Sequence, residues 1–401
     1  MRQGRAILLL LTIFIIAGAF GGLWYVRGFI SGVAPLVRGS PVLSDALPFA
    51  LGEGFAASIF ARGVPGARVI TRDPKGALVV TLTSEGRVVA LPDLDGNGKA
   101  DRTVTILEGQ NAPHGIAYVC PQTGNESADQ DSCQLFVAET DAVNAYGYDS
   151  DTYTATYKKT LLTLPQSGGH STRSLLAHPD GRQLLVAVGS SCNVCIERDL
   201  RRASILSIDL TTGSVKPYAT GLRNTVFMAI HPVTGEIWGT DMGRDLLGDD
   251  VPPDEVNIIR EGGNYGWPIC YGKNIHDADF DKNTYIRNPC MEPFEQPSQI
   301  DIPAHSAPLG IAFIPEEGWP EEYWHDILVA YHGSWNRSVP TGYKIVRIDE
   351  HGIATDFMTG FMDGGEVLGR PVGLLVEPGG ALYISDDRAG VIYKVARTSM
   401  E

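Results

Sequence analysis

Beyond about residue 50 the hydrophobic positions do not recur with the spacing of long amphipathic helices. What recurs is a short module: a Pro- or Gly-marked turn, a β-rich apolar run, and a second run before the next turn. It appears as RDPKGALVVTLTSEGRVVAL (72–91), as APHGIAYV with CQLFVAETDAVNAYGYD (112–149), and as STRSLLAHPDGRQLLVAVGSS with ASILSIDL (171–210). A fourth copy lies in 221–268, a fifth in SAPLGIAFIP, DILVAYHGS and YKIVRID (306–349), and a sixth in GRPVGLLVEPGGALYISDDRAGVIYKV (369–395). Repeated strand modules at periods of tens of residues predict an all-β, six-bladed β-propeller rather than a sandwich. FAASIF (Phe55 to Phe60) is a spare strand suited to closing the ring against the last copy, which would remove the sheet edges.

The N-terminus breaks the pattern. Arg2 and Arg5 precede an uncharged run from Ala6 to Val26, followed by Arg27. That run is long enough to cross a bilayer as a signal anchor. Alternatively, Ile7 to Ile16 is the core of a cleaved signal peptide ending at Ala17-Gly18-Ala19. Either way the rest is exported, with 1–27 as anchor or signal, 28–50 as tether and 51–398 as the propeller. The expected location is the periplasmic side of the inner membrane. Six cysteines fit that address. Cys120 and Cys133 flank a polar insertion, Cys270 and Cys290 another, and Cys192-x-x-Cys195 reads as a structural disulfide, although spacing alone leaves the connectivity open. The net charge of −15 and the lack of a Lys/Arg cluster argue against a nucleic-acid partner.

Chemistry concentrates between Gly221 and Pro268. Here Arg223-Asn224 opens a strand, and a loop carries Asp241, Gly243, Asp245, Asp249, Asp250, Asp254 and Glu255 before a Gly-Gly-Asn-Tyr-Gly-Trp-Pro run. Oxygen ligands beside glycines suit a hard cation such as calcium, against the alternative of a solvated acidic loop. DLDGNGKAD (93–101) resembles the first part of an EF-hand loop, but Val104 stands where the bidentate Glu belongs. His170, after two glycines and before a strand, is placed as a general base at the channel, or as a structural histidine. Arg223, Arg370 and Arg337, in Trp335-Asn336-Arg337, come from separate blades and together would grip a polyanion; singly, each would cap a turn or pair with an acid. His114 and His305 hold similar strand-start positions, and Asp386-Asp387 either faces the channel or forms a turn.

GLRN (221–224), DEVNIIREGGNYGWP (254–268), PAHSAPLGIAF (303–313), HGSWNR (332–337) and GRPVG (369–373) resemble the glucose/sorbosone dehydrogenase family of pyrroloquinoline quinone (PQQ) enzymes, nearest its sorbosone dehydrogenase branch. The resemblance implies a six-bladed propeller that oxidises an aldose or related aldehyde or alcohol sugar to lactone or acid, with PQQ and Ca2+ as cofactors. It implies His170 as catalytic base, Arg223, Asn224, Arg337 and Arg370 as cofactor contacts, and main-chain carbonyls of Gly243 and Arg244 on the calcium that holds PQQ. Asp254, Glu255 and Tyr265 match the region of a second, structural calcium. Gln110, His114 and Asp386 are the substrate-binding candidates. Three positions depart from the glucose enzymes. Gly169 replaces an acid before the base, so another group must orient His170; Leu368 replaces a carboxylate-binding Arg; and the surroundings of Gln110 differ. Electrons would leave to a periplasmic or membrane acceptor. Two other readings stand beside this one: a calcium-dependent propeller lactonase or hydrolase, and a non-catalytic tethered propeller that binds a glycan or protein.

Overall fold

The computed structural model describes residues 47–120, 133–291 and 295–398. The expected anchor or signal segment, 1–27, and most of the tether lie outside the described residues. Among the described residues no helix is long and apolar enough to cross a membrane.

Among the described residues six sheets of four or five strands, antiparallel apart from one short parallel edge, follow one another along the chain. Their innermost strands are Ala67–Arg72, Gly115–Val119, Arg173–Ala177, Thr225–Ile230, Pro308–Phe313 and Pro371–Glu377, and each neighbours the next around a ring, the last against the first. This is the six-bladed β-propeller expected from the modules. The spare strand closes it: Phe55–Arg62 pairs antiparallel with Val391–Arg397 as the outermost strand of the sixth blade. Ala50–Leu51 adds a further short edge to the fifth blade.

Apolar residues on both faces of each blade explain the near-continuous hydrophobic runs. Leu78–Leu82 and Ile327–Tyr331 are buried at every position. The core is divided into layers between adjacent blades. Phe60, Leu78, Leu91 and Tyr383 pack between the sixth and first blades; Phe136, Ala145, Leu184 and Val186 pack between the second and third. Near the axis the strands crowd. A Cβ on Gly115 would stand 2.6 Å from the Arg173 carbonyl of the next blade, and Gly310 and Gly373 meet neighbouring backbone equally closely. Glycine here is what lets the blades approach.

All three disulfides join the cysteines that the spacing suggested: Cys120–Cys133, Cys192–Cys195 and Cys270–Cys290. The Asn-Tyr-Gly-Trp run ties blades together. Gly263–Asn264 runs parallel to the outer strand of the third blade, and the Trp267 amide donates to the Gly221 carbonyl at 3.0 Å.

Ring closure depends on Phe60, which is 2% exposed and meets the Tyr383 ring edge-on at 5.1 Å between centroids. Phe60→Ala is expected to destabilise the protein by about 3–5 kcal/mol, measured by urea unfolding. A loss below about 1 kcal/mol would contradict a closure that rests on this strand.

Candidate functional site

Each inner strand starts, and each second strand ends, at the same mouth of the channel. The loops there are fixed by polar groups at the ends of the second strands. In the second blade Glu139 accepts from the Asn111 amide at 2.6 Å. In the fourth, Asp241 accepts from the amides of Arg223 (3.0 Å) and Asn224 (2.8 Å) and from the Thr225 hydroxyl. In the sixth, Asp386 accepts from the amides of Arg370, Arg388 and Ala389. Asp386 thus holds the turn through Oδ1, while its buried Oδ2 has no partner among the described residues.

In the third blade Ser190 takes this place, and the group it fixes is His170. The His170 amide donates to the Ser190 carbonyl at 3.0 Å, and Nδ1 lies 3.1 Å from the same carbonyl and 3.0 Å from Ser190 Oγ. The two preceding glycines permit this packing. Gly168 and Gly169 have φ of +91° and +33°, and a Cβ on Gly169 would meet the Ser190 carbonyl at 2.6 Å. Beneath the loop lie two buried arginines. Arg173 Nη1 and Arg202 Nη1 both donate to the His170 carbonyl, at 2.9 and 3.1 Å, and their Nη2 groups both donate to the Pro165 carbonyl. Neither makes an ion pair among the described residues. Burial first, then Arg223, with Arg202 and Arg173 behind it, lowers the His170 pKa to about 4, so the imidazole is neutral at physiological pH.

The three arginines singled out in the sequence are treated differently. Arg223 is built into the wall: Nε and Nη2 donate to the carbonyl and side-chain oxygens of Asn193 at 2.9 Å each, and Nη2 also reaches Asp245 at 3.2 Å. Arg337 pairs with Asp250 at 2.7 Å, which ties its loop to the acidic loop of the fourth blade. Among the described residues Arg370 has no carboxylate hydrogen-bonded to its guanidinium. It makes long contacts to His332 Nδ1 and the Gly333 carbonyl, both 3.4 Å, and to the Tyr343 hydroxyl at 3.2 Å. Its neighbour His332 contacts Asp387 at 3.0 Å, and Asp387 in turn accepts from Arg68 at 2.7 Å.

The carboxylates expected near calcium are occupied by backbone amides. Asp254 accepts from the Gly243 and Ala307 amides, both at 2.9 Å, and burial raises its pKa to about 7. Glu255 accepts from the Gly272 amide at 2.6 Å and from Asn257. The Arg244 side chain pairs with Asp277 and Asp279, and the Tyr265 hydroxyl bridges Ile258 and Arg260. The main-chain carbonyls of Gly243 and Arg244 accept no hydrogen bond among the described residues, and neutral oxygens of this kind suit calcium. Buried Asn224 Oδ1 is also without a partner among the described residues, and a Cβ on Gly189 would come within 2.5 Å of it and 2.7 Å of His170 Cβ. Asn224 with its orphan acceptor beside His170, and a guanidinium and free carbonyls on other loops of the same mouth, are the donor set an anionic cofactor with its cation would need.

The remaining candidates sit apart. His114 is fully buried against Phe227, with Nε2 unpartnered. Gln110 accepts from the Tyr146 hydroxyl at 3.0 Å on the rim. His305 is at hydrogen-bond distance (2.6 Å) from the Gly248 carbonyl. In 93–101, Asp93, Asp95 and Asp101 come together, with oxygens already accepting from the Gly98, Asn97 and Leu94 amides. Sequence reasoning missed Arg68, Arg173, Arg202, Ser190 and Asn193; only the C-x-x-C around Asn193 hinted that this loop is held rigid.

A family model described as TrAA12-like matches residues 49–398. An uncharacterized protein of Borreliella burgdorferi is 38% identical over 59% of this chain and 62% of the relative. The PQQ-dependent pyranose dehydrogenase of Coprinopsis cinerea is 25% identical over 86% of this chain and 54% of the relative. The chain thus matches between half and two thirds of the length of these curated relatives. In fold it is similar to the Carbohydrate-Active Enzymes Family AA12 protein of Trichoderma reesei, seen in a calcium structure, with a TM-score of 0.73, 23% identity, and 89% of this chain and 99% of that chain covered.

Burial raises the Asp386 pKa from 3.8 to about 7. The unfolded carboxyl ionises near pH 4 and the folded one does not, so this group's contribution is fully present below pH 4 and is lost as pH rises through 7. Asp386→Asn, which keeps the acceptor for the three amides, is expected to flatten the fall in stability between pH 4 and 7 by up to about 4 kcal/mol, read from denaturant midpoints across pH. An unchanged slope would contradict a neutral Asp386.

Proposed function

The chain belongs to the TrAA12-like family, and we propose that it is a PQQ- and calcium-dependent oxidoreductase acting on an aldose, or on a related aldehyde or alcohol sugar of the sorbosone kind. The product is a lactone or acid. What supports this reading is a neutral, oriented His170 on the third blade and, at the same mouth, an Arg370 with no carboxylate hydrogen-bonded to its guanidinium among the described residues. The name of the Coprinopsis cinerea relative supports both the cofactor and the sugar. Attachment by the N-terminal segment on the periplasmic side, with electrons leaving to a periplasmic or membrane acceptor, is part of the same proposal.

PQQ would supply the two-electron acceptor for hydride, and calcium would polarise it. Arg370 would bind a cofactor carboxylate, with Arg337 completing the rim, and the Gly243 and Arg244 carbonyls would hold the cation. Asn224 Oδ1 would accept a hydrogen bond from the bound group. His170 Nε2 would take the proton of the substrate hydroxyl as the C–H bond breaks. Arg173, Arg202 and Arg223 keep that base neutral and favour negative charge developing on the substrate oxygen. A lactonase or hydrolase would need carboxylates free to hold a channel metal. Asp241, Asp254 and Glu255 are each tied to amide donors instead.

PQQ titrated into the purified protein with calcium should change the cofactor absorbance, chelator should abolish the change, and aldoses should then reduce an artificial acceptor. Arg370→Ala should weaken PQQ binding by about tenfold or more. His170→Ala should keep PQQ binding and cut turnover by about a hundredfold or more. Absence of binding at micromolar PQQ would overturn the reading.

A further inference from the structure

We propose that Ser190 is a positioning residue for His170: its carbonyl and hydroxyl oxygens together hold the imidazole as the Nδ1–H tautomer, so that Nε2 carries the free lone pair. This rests on the proposed role of His170 as base.

The donors and acceptors around Nδ1 allow one tautomer. A carbonyl cannot donate, so the 3.1 Å contact between Nδ1 and the Ser190 carbonyl requires the proton on Nδ1. Ser190 Oγ donates its one proton to the Cys192 carbonyl at 2.6 Å, so towards Nδ1, 3.0 Å away, it also acts as an acceptor. Both contacts demand the same tautomer. The acceptor on which the hydroxyl turns, Cys192, is half of the Cys192–Cys195 disulfide, and Asn193, one of the two residues inside that small loop, clamps Arg223. One cross-linked turn thus orients both the base and its neighbouring cation.

The device differs from a carboxylate partner in a way that can be measured. A carboxylate at this position would orient the ring and also stabilise its protonated form. Ser190 adds no charge: its carbonyl favours the protonated ring through a hydrogen bond, and burial and the arginines outweigh that. The charged groups acting on His170 are all cationic: Arg223 from the fourth blade, and Arg202 and Arg173 beneath the loop. The base thereby stays unprotonated well below neutral pH.

The test is nitrogen-15 NMR of the histidine rings in the cofactor-free protein, with His170→Gln to assign the signal. The wild type should show His170 with the proton on Nδ1. Ser190→Ala should raise the Nε2–H fraction and lower kcat by about five- to tenfold with KM little changed, and Ser190→Thr should restore both. Ser190→Asp should move the acid limb of kcat upward by about one pH unit or more. A dominant Nε2–H tautomer in the wild type would overturn the proposal, as would Ser190→Ala leaving tautomer and kcat unchanged. An Nδ1–H fraction that falls in Ser190→Ala, where the carbonyl remains and only the hydroxyl is gone, in a protein that turns over no sugar, would support the positioning role while overturning the proposed function.

Discussion

The pairing of Phe55–Arg62 with Val391–Arg397 is the constraint on which the rest depends. It turns six sheets into a closed ring, and only in a closed ring do loops from separate blades face one another across a common mouth. Ring closure is expensive in chain entropy, since it joins segments more than three hundred residues apart. It is offset by apolar layers between every pair of neighbouring blades, including Phe60 and Tyr383 at the seam. Glycines at the axis set how tightly the ring closes and therefore how far apart the mouth loops stand.

The ring's second consequence is electrostatic. An acidic chain with net charge −15 has a mouth in which Arg173 and Arg202 are buried against carbonyl oxygens rather than carboxylates. Carbonyl dipoles solvate a guanidinium without cancelling its charge, so their field persists at His170. The acids of the fourth blade do the opposite work. Asp241 and Asp254 direct their oxygens to the backbone amides of the loops they carry, which fixes those loops and leaves the neutral carbonyls of Gly243 and Arg244 to meet a ligand.

Much of the fold could be read from the chain because inner and second strands are buried on both faces, as in Leu78–Leu82 and Ile327–Tyr331. The outer strands were less legible. Thr154–Thr163 is largely exposed and polar, so its pattern resembles a loop, and the short Ile300–Ile302 is separated from its blade by a long excursion. In the site, the histidine after two glycines and the arginine before a strand stood out. The roles of Ser190, Asn193, Arg173 and Arg202 did not, since each acts through a partner from another segment: Ser190 is twenty residues from His170, and Arg202 thirty-two. Arg223 illustrates the limit. Its position is readable, but that Asn193 holds its guanidinium is a property of the folded loop.

The central claim is that this mouth is assembled in advance to seat an anionic cofactor beside His170. The most direct test is a crystal structure of the protein grown with PQQ and calcium. Cofactor density is expected at the mouth, with a carboxylate on Arg370, a cation on the Gly243 and Arg244 carbonyls, and His170 Nε2 facing the bound group. Density elsewhere on the propeller, or a mouth left empty at saturating PQQ, would contradict it.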